Sequence, residues 1–346
     1  MERRKRLGVV GLGRLGLSIA LSFENKGFLV WGYDNSPERR SAVQSRELQS
    51  REPGVSQLLS KSKNLVATEN LKDLFAEAED KHLALCATVP PRYIIEVGTH
   101  LLRDSPGTTL SYLPDAALPL SYGDLLHHIT RPEIVLIGEH NKEAGDYLEW
   151  MHREMIDTPD QTSICRMSPT SAEIAKLASS SYSAVRVSFG NFVTQIGEKT
   201  KGACAEDVLR VLQCDARFGS KCFRPGLGFG GPCIPRDNLA LVRFANEVKV
   251  NADLLVSAQT MNTAHAEFMA DMLAANNKGA QERIAIERVA FKEGCASDLI
   301  DESPKLEVAR ILAKRGHAVL IRDREGIVDL VRRQFGSLFD YEVIPN

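Results

Sequence analysis

Short apolar runs alternate with helical-period stretches at both ends of the chain, and the middle is mainly helical. Arg6-Leu7-Gly8-Val9-Val10 reads as a buried strand. A helical stretch from Leu17 to Lys26 follows, and Gly27 closes it as a C-cap glycine does. Phe28-Leu29-Val30-Trp31-Gly32-Tyr33 is a second strand, with Asp34 at its end. From Ser171 to Lys199, Ile174, Leu177, Ala178, Val185 and Phe189 recur at helical spacing. Helix continues from Thr194 to Leu212 across an interruption at Lys201-Gly202, and again from Val250 to Asn276. At the C-terminal end, Ile284-Ala285-Ile286 is a strand, and Ser303-Pro304 opens a helix through Lys314 with proline in its first turn. Gly316 to Asp323 is then a strand ending in an acid. Glycine, six residues and aspartate occur in Gly27–Asp34 and again in Gly316–Asp323, so the two ends read as distant copies of one βαβ unit.

Between the first strand and helix lies Gly11-Leu12-Gly13-Arg14-Leu15-Gly16, a dinucleotide fingerprint in its expected place. Glycines at this spacing are weak evidence alone, but here a strand precedes, a helix follows, and a second strand ends in an acid. Gly11 allows the tight turn, Gly13 lets the backbone approach a pyrophosphate, and Gly16 lets the helix pack on the strand. Leu12, Arg14 and Leu15 supply the loop between them, and the helix N-terminus faces the phosphates. Asp34 accepts from ribose hydroxyls and repels a 2′-phosphate, which favours NAD over NADP; Arg39 and Arg40 are close enough in sequence to reach such a phosphate. The C-terminal copy lacks the fingerprint and should not bind a second dinucleotide in the same way. The expected fold is α/β, with an N-terminal Rossmann domain (1–165), a central helical dimerisation region carrying a cysteine loop (166–277), and a truncated C-terminal Rossmann-like domain (278–346).

Composition narrows the partners. Across 346 residues, 43 basic and 45 acidic side chains leave a formal net charge of -2, so no global field favours nucleic acid or an anionic membrane. No apolar run approaches the roughly 18 residues a membrane span needs, and Arg3 to Arg6 reads as a solvated edge rather than a targeting signal. Seven cysteines without a CxxC, and eight histidines without ligand spacing, point to reduced thiols in a cytoplasmic protein and to no structural metal.

The chemistry concentrates in Pro225-Gly226-Leu227-Gly228-Phe229-Gly230-Gly231-Pro232-Cys233-Ile234-Pro235-Arg236-Asp237. Proline and glycine at this density exclude helix and central strand and leave a shaped loop. On these residues alone the loop is either a turn holding a buried thiol or the seat of a nucleophile. The second reading requires a cation or a helix N-terminus to favour the thiolate.

This loop resembles the PGxGFGGxCxPKD signature of the UDP-glucose/GDP-mannose dehydrogenase family, with Arg236 in place of the usual lysine. Ala172-Glu173-Ile174-Ala175-Lys176, followed by Arg186-Val187-Ser188-Phe189, is similar to the family's central helix. Glu52-Pro53-Gly54, Gly202 with Asp207-Val208, Asp215-Ala216-Arg217-Phe218-Gly219, Phe291-Lys292 and Glu302-Ser303-Pro304 match further landmarks in order. The resemblance implies oxidation of a primary alcohol at sugar C6 to a carboxylate, with two NAD reduced in turn and a nucleotide sugar as substrate. It assigns the covalent nucleophile to Cys233, oxyanion stabilisation to Lys176, and the hydrolytic water to Asp237. It also implies catalytic roles for Thr88 and Asp115, and substrate contacts from Ser180, Arg217, Phe229, Gly230 and Lys292, Arg217 reaching across a homodimer interface. Without the resemblance, Lys176 reads as a solvated helix lysine, Asp237 as a turn cap and Arg217 as a surface arginine.

Several positions depart from the family. Ser180 stands where the family has an asparagine. Asp115 replaces the first glutamate of NPEFxxEG, and Pro119 replaces the second. Thr88-Val89-Pro90-Pro91 matches either of two strand-end motifs, STVPxG or VPTP, and is taken as the threonine-bearing one. Arg288 and Asp301 replace a family glycine and arginine, and the C-terminal part is short. Two other readings therefore stand beside the first: a dehydrogenase of another primary alcohol in specialised metabolism, or a catalytically degraded relative with a binding role.

Overall fold

In a computed structural model of the chain, residues 6–50, 52–75, 81–114, 125–219, 225–277, 283–291 and 298–345 are described. Two compact units, residues 1–176 and 177–346, divide the chain.

In the first unit, strand β1 (Arg6–Val10) pairs in parallel with β2 (Leu29–Tyr33), which pairs with β3 (Leu65–Ala67). The register sets Gly8 opposite Trp31 and Val10 opposite Tyr33. Parallel pairing requires a crossover, and the helix Arg14–Asn25 supplies it. That helix buries Leu17, Ala20, Leu21 and Phe23 in a core shared with Phe28, Val30, Met151 and Met155. A second sheet has the order β4 (Lys81–Leu85), β5 (Thr108–Tyr112), β6 (Ile134–Gly138) and β7 (Ser163–Met167). It is parallel except where Tyr112 meets Gly138 in antiparallel register.

The second unit contains the helices Ala205–Cys214, Ile234–Glu247 and Asp253–Asn276, followed by a parallel three-stranded sheet. Its strands are β8 (Ile284–Glu287), β9 (Val319–Asp323) and β10 (Asp340–Val343), with β9 central. The helix Pro304–Lys314 opens with proline in its first turn, and Ser303 caps it by accepting the Leu306 N–H at 3.3 Å. Leu306, Val308, Ala309, Ile311 and Leu312 of this helix are buried with Ile284, Ile286, Val319 and Ile321. The helix Pro169–Lys199 spans the boundary between the units.

The two ends share a device as well as a topology. Asp34 accepts the Leu12 N–H at 2.8 Å and the Ser36 N–H at 3.0 Å. Asp323 accepts the Ala290 N–H at 3.3 Å and the Arg324 N–H at 2.8 Å. In each copy the aspartate ending the second strand ties down the loop that follows the first. The copies differ at their helices. The helix Arg14–Asn25 begins on Gly13 with no side-chain cap and no acid in its first turn, whereas Ser303 and Glu307 occupy the corresponding end of the later helix. An uncapped helix start with no acid beside it favours an anion.

Arg166 on β7 organises the surface of the second sheet. Its guanidinium bonds Glu139 at 2.7 Å, Asp146 at 2.6 Å and Glu149 at 3.1 Å. The cluster holds both Asp146 and Glu149 below the ordinary carboxylate range: hydrogen bonds from Lys142 and Arg166 act on Asp146, and from Arg166 and Arg153 on Glu149. Carboxylates depressed in the folded state add stability above their unfolded values of about 4 and lose it as pH falls through the folded ones. Arg166→Met should therefore lower Tm by a few degrees at pH 7, and by much less near pH 3. Melts by circular dichroism at the two pH values check this, and an equal loss at both would contradict it.

Candidate active site

The fingerprint loop is shaped by close backbone approach. The Gly11 N–H donates to the Tyr33 carbonyl at 2.7 Å and holds the loop across the end of β2. A Cβ on Gly16 would lie 1.8 Å from the Gly11 carbonyl oxygen, so only glycine lets this helix start so near the strand. By contrast, nothing lies within 4 Å of a Cβ built on Gly11 or Gly13, leaving the outer face of the loop clear. Leu12 is fully buried and Leu15 packs against the same core. Arg14 pairs with Glu52 at 3.3 Å, and the Glu52 side chain is only 1% exposed. A bare helix N-terminus, an open loop and a nearby arginine fit the pyrophosphate of a dinucleotide.

At the end of β2, the Asp34 carboxylate accepts two backbone N–H groups and retains lone pairs for further donors. Arg40 donates to the Asp34 carbonyl at 2.6 Å, and Arg39 to the Leu12 carbonyl at 3.4 Å. Both arginines thus engage backbone oxygens at the rim of this site.

Thr88 lies in the half-buried segment after β4. The next residues are held by Glu173, to which the sequence alone assigns no role. Glu173 is fully buried and accepts the N–H groups of Arg92 at 2.5 Å and Ile94 at 2.8 Å. Burial raises its pKa, against the opposing pull of those two bonds. Lys176, one turn later on the helix, is buried at 8% exposure and so is not a solvated surface lysine.

In the second unit the cysteine loop is pinned by side chains distant in sequence. The Asn262 amide accepts the Phe229 N–H at 2.7 Å and donates to the Phe229 carbonyl at 2.9 Å. His265, also fully buried, bonds the Gly226 carbonyl through Nε2 at 2.7 Å. Since Nε2 must donate there, Nδ1 accepts from the Gln195 amide at 3.0 Å, and burial lowers the pKa of this neutral ring. Asn191 donates to the Leu227 carbonyl at 3.2 Å. Gly230 meets the C-terminal part, where a Cβ would lie 2.0 Å from the Glu302 carbonyl oxygen. Phe229 itself is buried.

The loop ends sooner than its proline content predicts. Cys233 is the N-cap of the helix Ile234–Glu247, and Pro235 occupies its first turn, where a missing N–H costs nothing. Ile234 to Asp237 are therefore helical rather than looped. The half-exposed thiol stands at the positive end of a helix dipole. Asp237, one turn in, is fully buried and accepts the Ser180 hydroxyl at 2.8 Å, while its own N–H bonds the Cys233 carbonyl at 2.8 Å. Ser180 thus binds a carboxylate in place of whatever the family asparagine contacts.

Arg217 is exposed and lies against Asp215, its Nη2 2.6 Å from the carboxylate. Arg186 holds the same turn by donating to the carbonyls of Phe218 at 3.0 Å and Gly219 at 3.2 Å. Asp115, Pro119 and Lys292 lie outside the described residues. Asn191, Asn262 and His265 escaped the sequence reading; each is a polar residue within a helical pattern, and only its pairing with a loop peptide marks it.

Residues 170–264 match the model of the central domain of the UDP-glucose/GDP-mannose dehydrogenase family. The chain is 28% identical to the GDP-mannose 6-dehydrogenase of Pseudomonas syringae pv. tomato, an alignment covering 92% of this chain and 80% of that protein. Identity to the UDP-glucose 6-dehydrogenase of Pseudomonas aeruginosa is 25%, over 92% of this chain and 78% of the relative. The structure resembles a UDP-glucose dehydrogenase from the hyperthermophilic archaeon Pyrobaculum islandicum with a TM-score of 0.85, at 24% identity, covering 99% of this chain and 87% of that one.

Gly16→Ala should push the helix away from the Gly11 carbonyl and weaken dinucleotide binding at least tenfold, about 1.4 kcal/mol. Titration calorimetry with NAD measures it; unchanged affinity would show that the fingerprint loop does not bind the cofactor.

Proposed function

We propose that the chain, whose residues 170–264 match the central-domain model of the UDP-glucose/GDP-mannose dehydrogenase family, is a member of that family and a cytoplasmic NAD-dependent nucleotide-sugar 6-dehydrogenase acting through Cys233. The observation that carries this reading is the thiol at the N-terminus of a helix, one turn from a buried carboxylate that a second helix holds. Negative charge on the sulfur meets the positive end of that helix.

Gly11 to Gly16 and Asp34 would hold NAD, which when bound would supply the acceptor for one hydride in each of two oxidations. In the first, the C6 alcohol gives up its proton to a base or base-coupled water and becomes an aldehyde. In the second, the Cys233 thiolate adds to the aldehyde carbon, forming a C–S bond while the carbonyl oxygen takes up the electron pair and a proton. Loss of hydride from that carbon, with the hydroxyl proton, leaves a thioester. Water then adds to the thioester carbonyl, the C–S bond breaks, the sulfur departs as thiolate, and the sugar carries a carboxylate. Lys176, one helical turn before Ser180, supplies the cation for the oxyanions. Asp237, oriented by the Ser180 hydroxyl, positions the hydrolytic water. Thr88 and Asp115 serve the sugar end, and Arg217, Phe229, Gly230 and Lys292 bind the substrate.

The central region forms a homodimer. Tyr182, Phe189, Phe192 and Ile196, at intervals that share one face of the helix Pro169–Lys199, are 62%, 48%, 45% and 50% exposed. A second copy of this region covers them.

Incubation with NAD and a panel of UDP- and GDP-sugars should produce two NADH per sugar, read at 340 nm. Cys233→Ser should stop after the first, with trapped aldehyde as product. Turnover of small hydroxy acids or alcohols in place of nucleotide sugars would move the assignment to another primary alcohol, and no turnover with an unreactive thiol would move it to a binding role. Sedimentation should show a dimer at micromolar concentration and a monomer for Phe192→Asp; a monomeric parent would refute the assembly.

A further inference from the structure

The peptide groups of the cysteine loop have no strand partner, and one side chain meets both polar groups of a single residue in it. The amide of Asn262 accepts from the Phe229 N–H at 2.7 Å and donates to its carbonyl at 2.9 Å, as a neighbouring strand would. The fit is tight: a Cβ on Gly228 would lie 2.3 Å from Asn262 Oδ1. Behind the loop is a cavity of about 400 Å³, which Gly228, Phe229 and Asn262 line together with Thr263, Met269 and Phe335. On that side the paired amide of Asn262 and its close approach to Gly228 together fix the height of the loop.

We propose that Asn262 is a positioning residue for Cys233. By clamping the Phe229 peptide it sets where Gly230, Gly231 and Pro232 run, and so where the thiol meets an aldehyde carbon. This inference rests on the reading of Cys233 as the nucleophile. Only a carboxamide of this length fits. Aspartate offers no donor to the Phe229 carbonyl and sets a negative charge against it, glutamine is a methylene too long, and alanine leaves both peptide groups unpaired beside the cavity. The first oxidation needs no sulfur, so loosening the clamp falls selectively on the second.

The test uses the full chain and measures each oxidation separately: alcohol with aldehyde trapping, and the synthetic aldehyde alone. Iodoacetamide labelling of Cys233, resolved by peptide mass spectrometry across pH 6–9, is read alongside. Asn262→Asp should slow the aldehyde step about tenfold more than the alcohol step, leave the KM for NAD unchanged, and alter the labelling profile of Cys233. Asn262→Ala, which removes the clamp without adding charge, should do the same and serves if the aspartate variant does not fold. Thr263→Ala, lining the same cavity without touching the loop peptides, should resemble the parent. Equal slowing of both oxidations, or a Cys233 labelling profile unchanged in both Asn262 variants, would overturn the proposal. The labelling arm needs no substrate: if the parent oxidises no nucleotide sugar, the functional reading fails, and the profile still decides whether Asn262 governs the thiol.

Discussion

A segment rich in glycine and proline has no ladder of its own, yet every buried N–H and carbonyl in it must be paired. In this protein that requirement is met by amides and an imidazole reaching in from two helices. Asn191, Asn262 and His265 each take a peptide group between Gly226 and Phe229. The placement of Cys233 depends on this pairing, because the loop delivers the thiol to the start of the following helix. Remove the pairing and the glycines that let the chain pass close to Glu302 would instead let it wander.

The N-terminal site obeys the same rule with other materials. Asp34 replaces a water or a strand by binding the Leu12 N–H across the end of the sheet, and Asp323 repeats the arrangement at the other end of the chain. The two ends thus share the aspartate and differ at the helix start. Ser303 caps the helix of the second copy, whereas the helix of the first begins on Gly13 with no side-chain cap.

Both βαβ ends and the long central helices are legible in the sequence because their signals are local: glycines at fixed offsets, a terminal aspartate, apolar residues at helical spacing. The break expected at Lys201-Gly202 falls between the helices Pro169–Lys199 and Ala205–Cys214. The short strands Lys81–Leu85 and Thr108–Tyr112 are hard to read, since half-buried runs of five residues carry little periodicity. The helix after Cys233 was hidden by Pro235, which reads as a breaker unless one notices that it sits in a first turn. The partners of the loop are illegible for a different reason. Asn262 lies 33 residues from Phe229, and His265 lies 39 from Gly226, so nothing local links them. The neutral tautomer of His265 and the buried carboxylate of Glu173 likewise emerge only from what surrounds them.

The uncapped helix start at Gly13 has a consequence for the life of the protein as well as for its chemistry. A helix end left without a side-chain partner is a standing deficit in the folded state that a bound anion removes. A dinucleotide bound there would act on the first unit as a folding ligand, and the resistance of that unit to proteolysis would then rise and fall with the concentration of the dinucleotide.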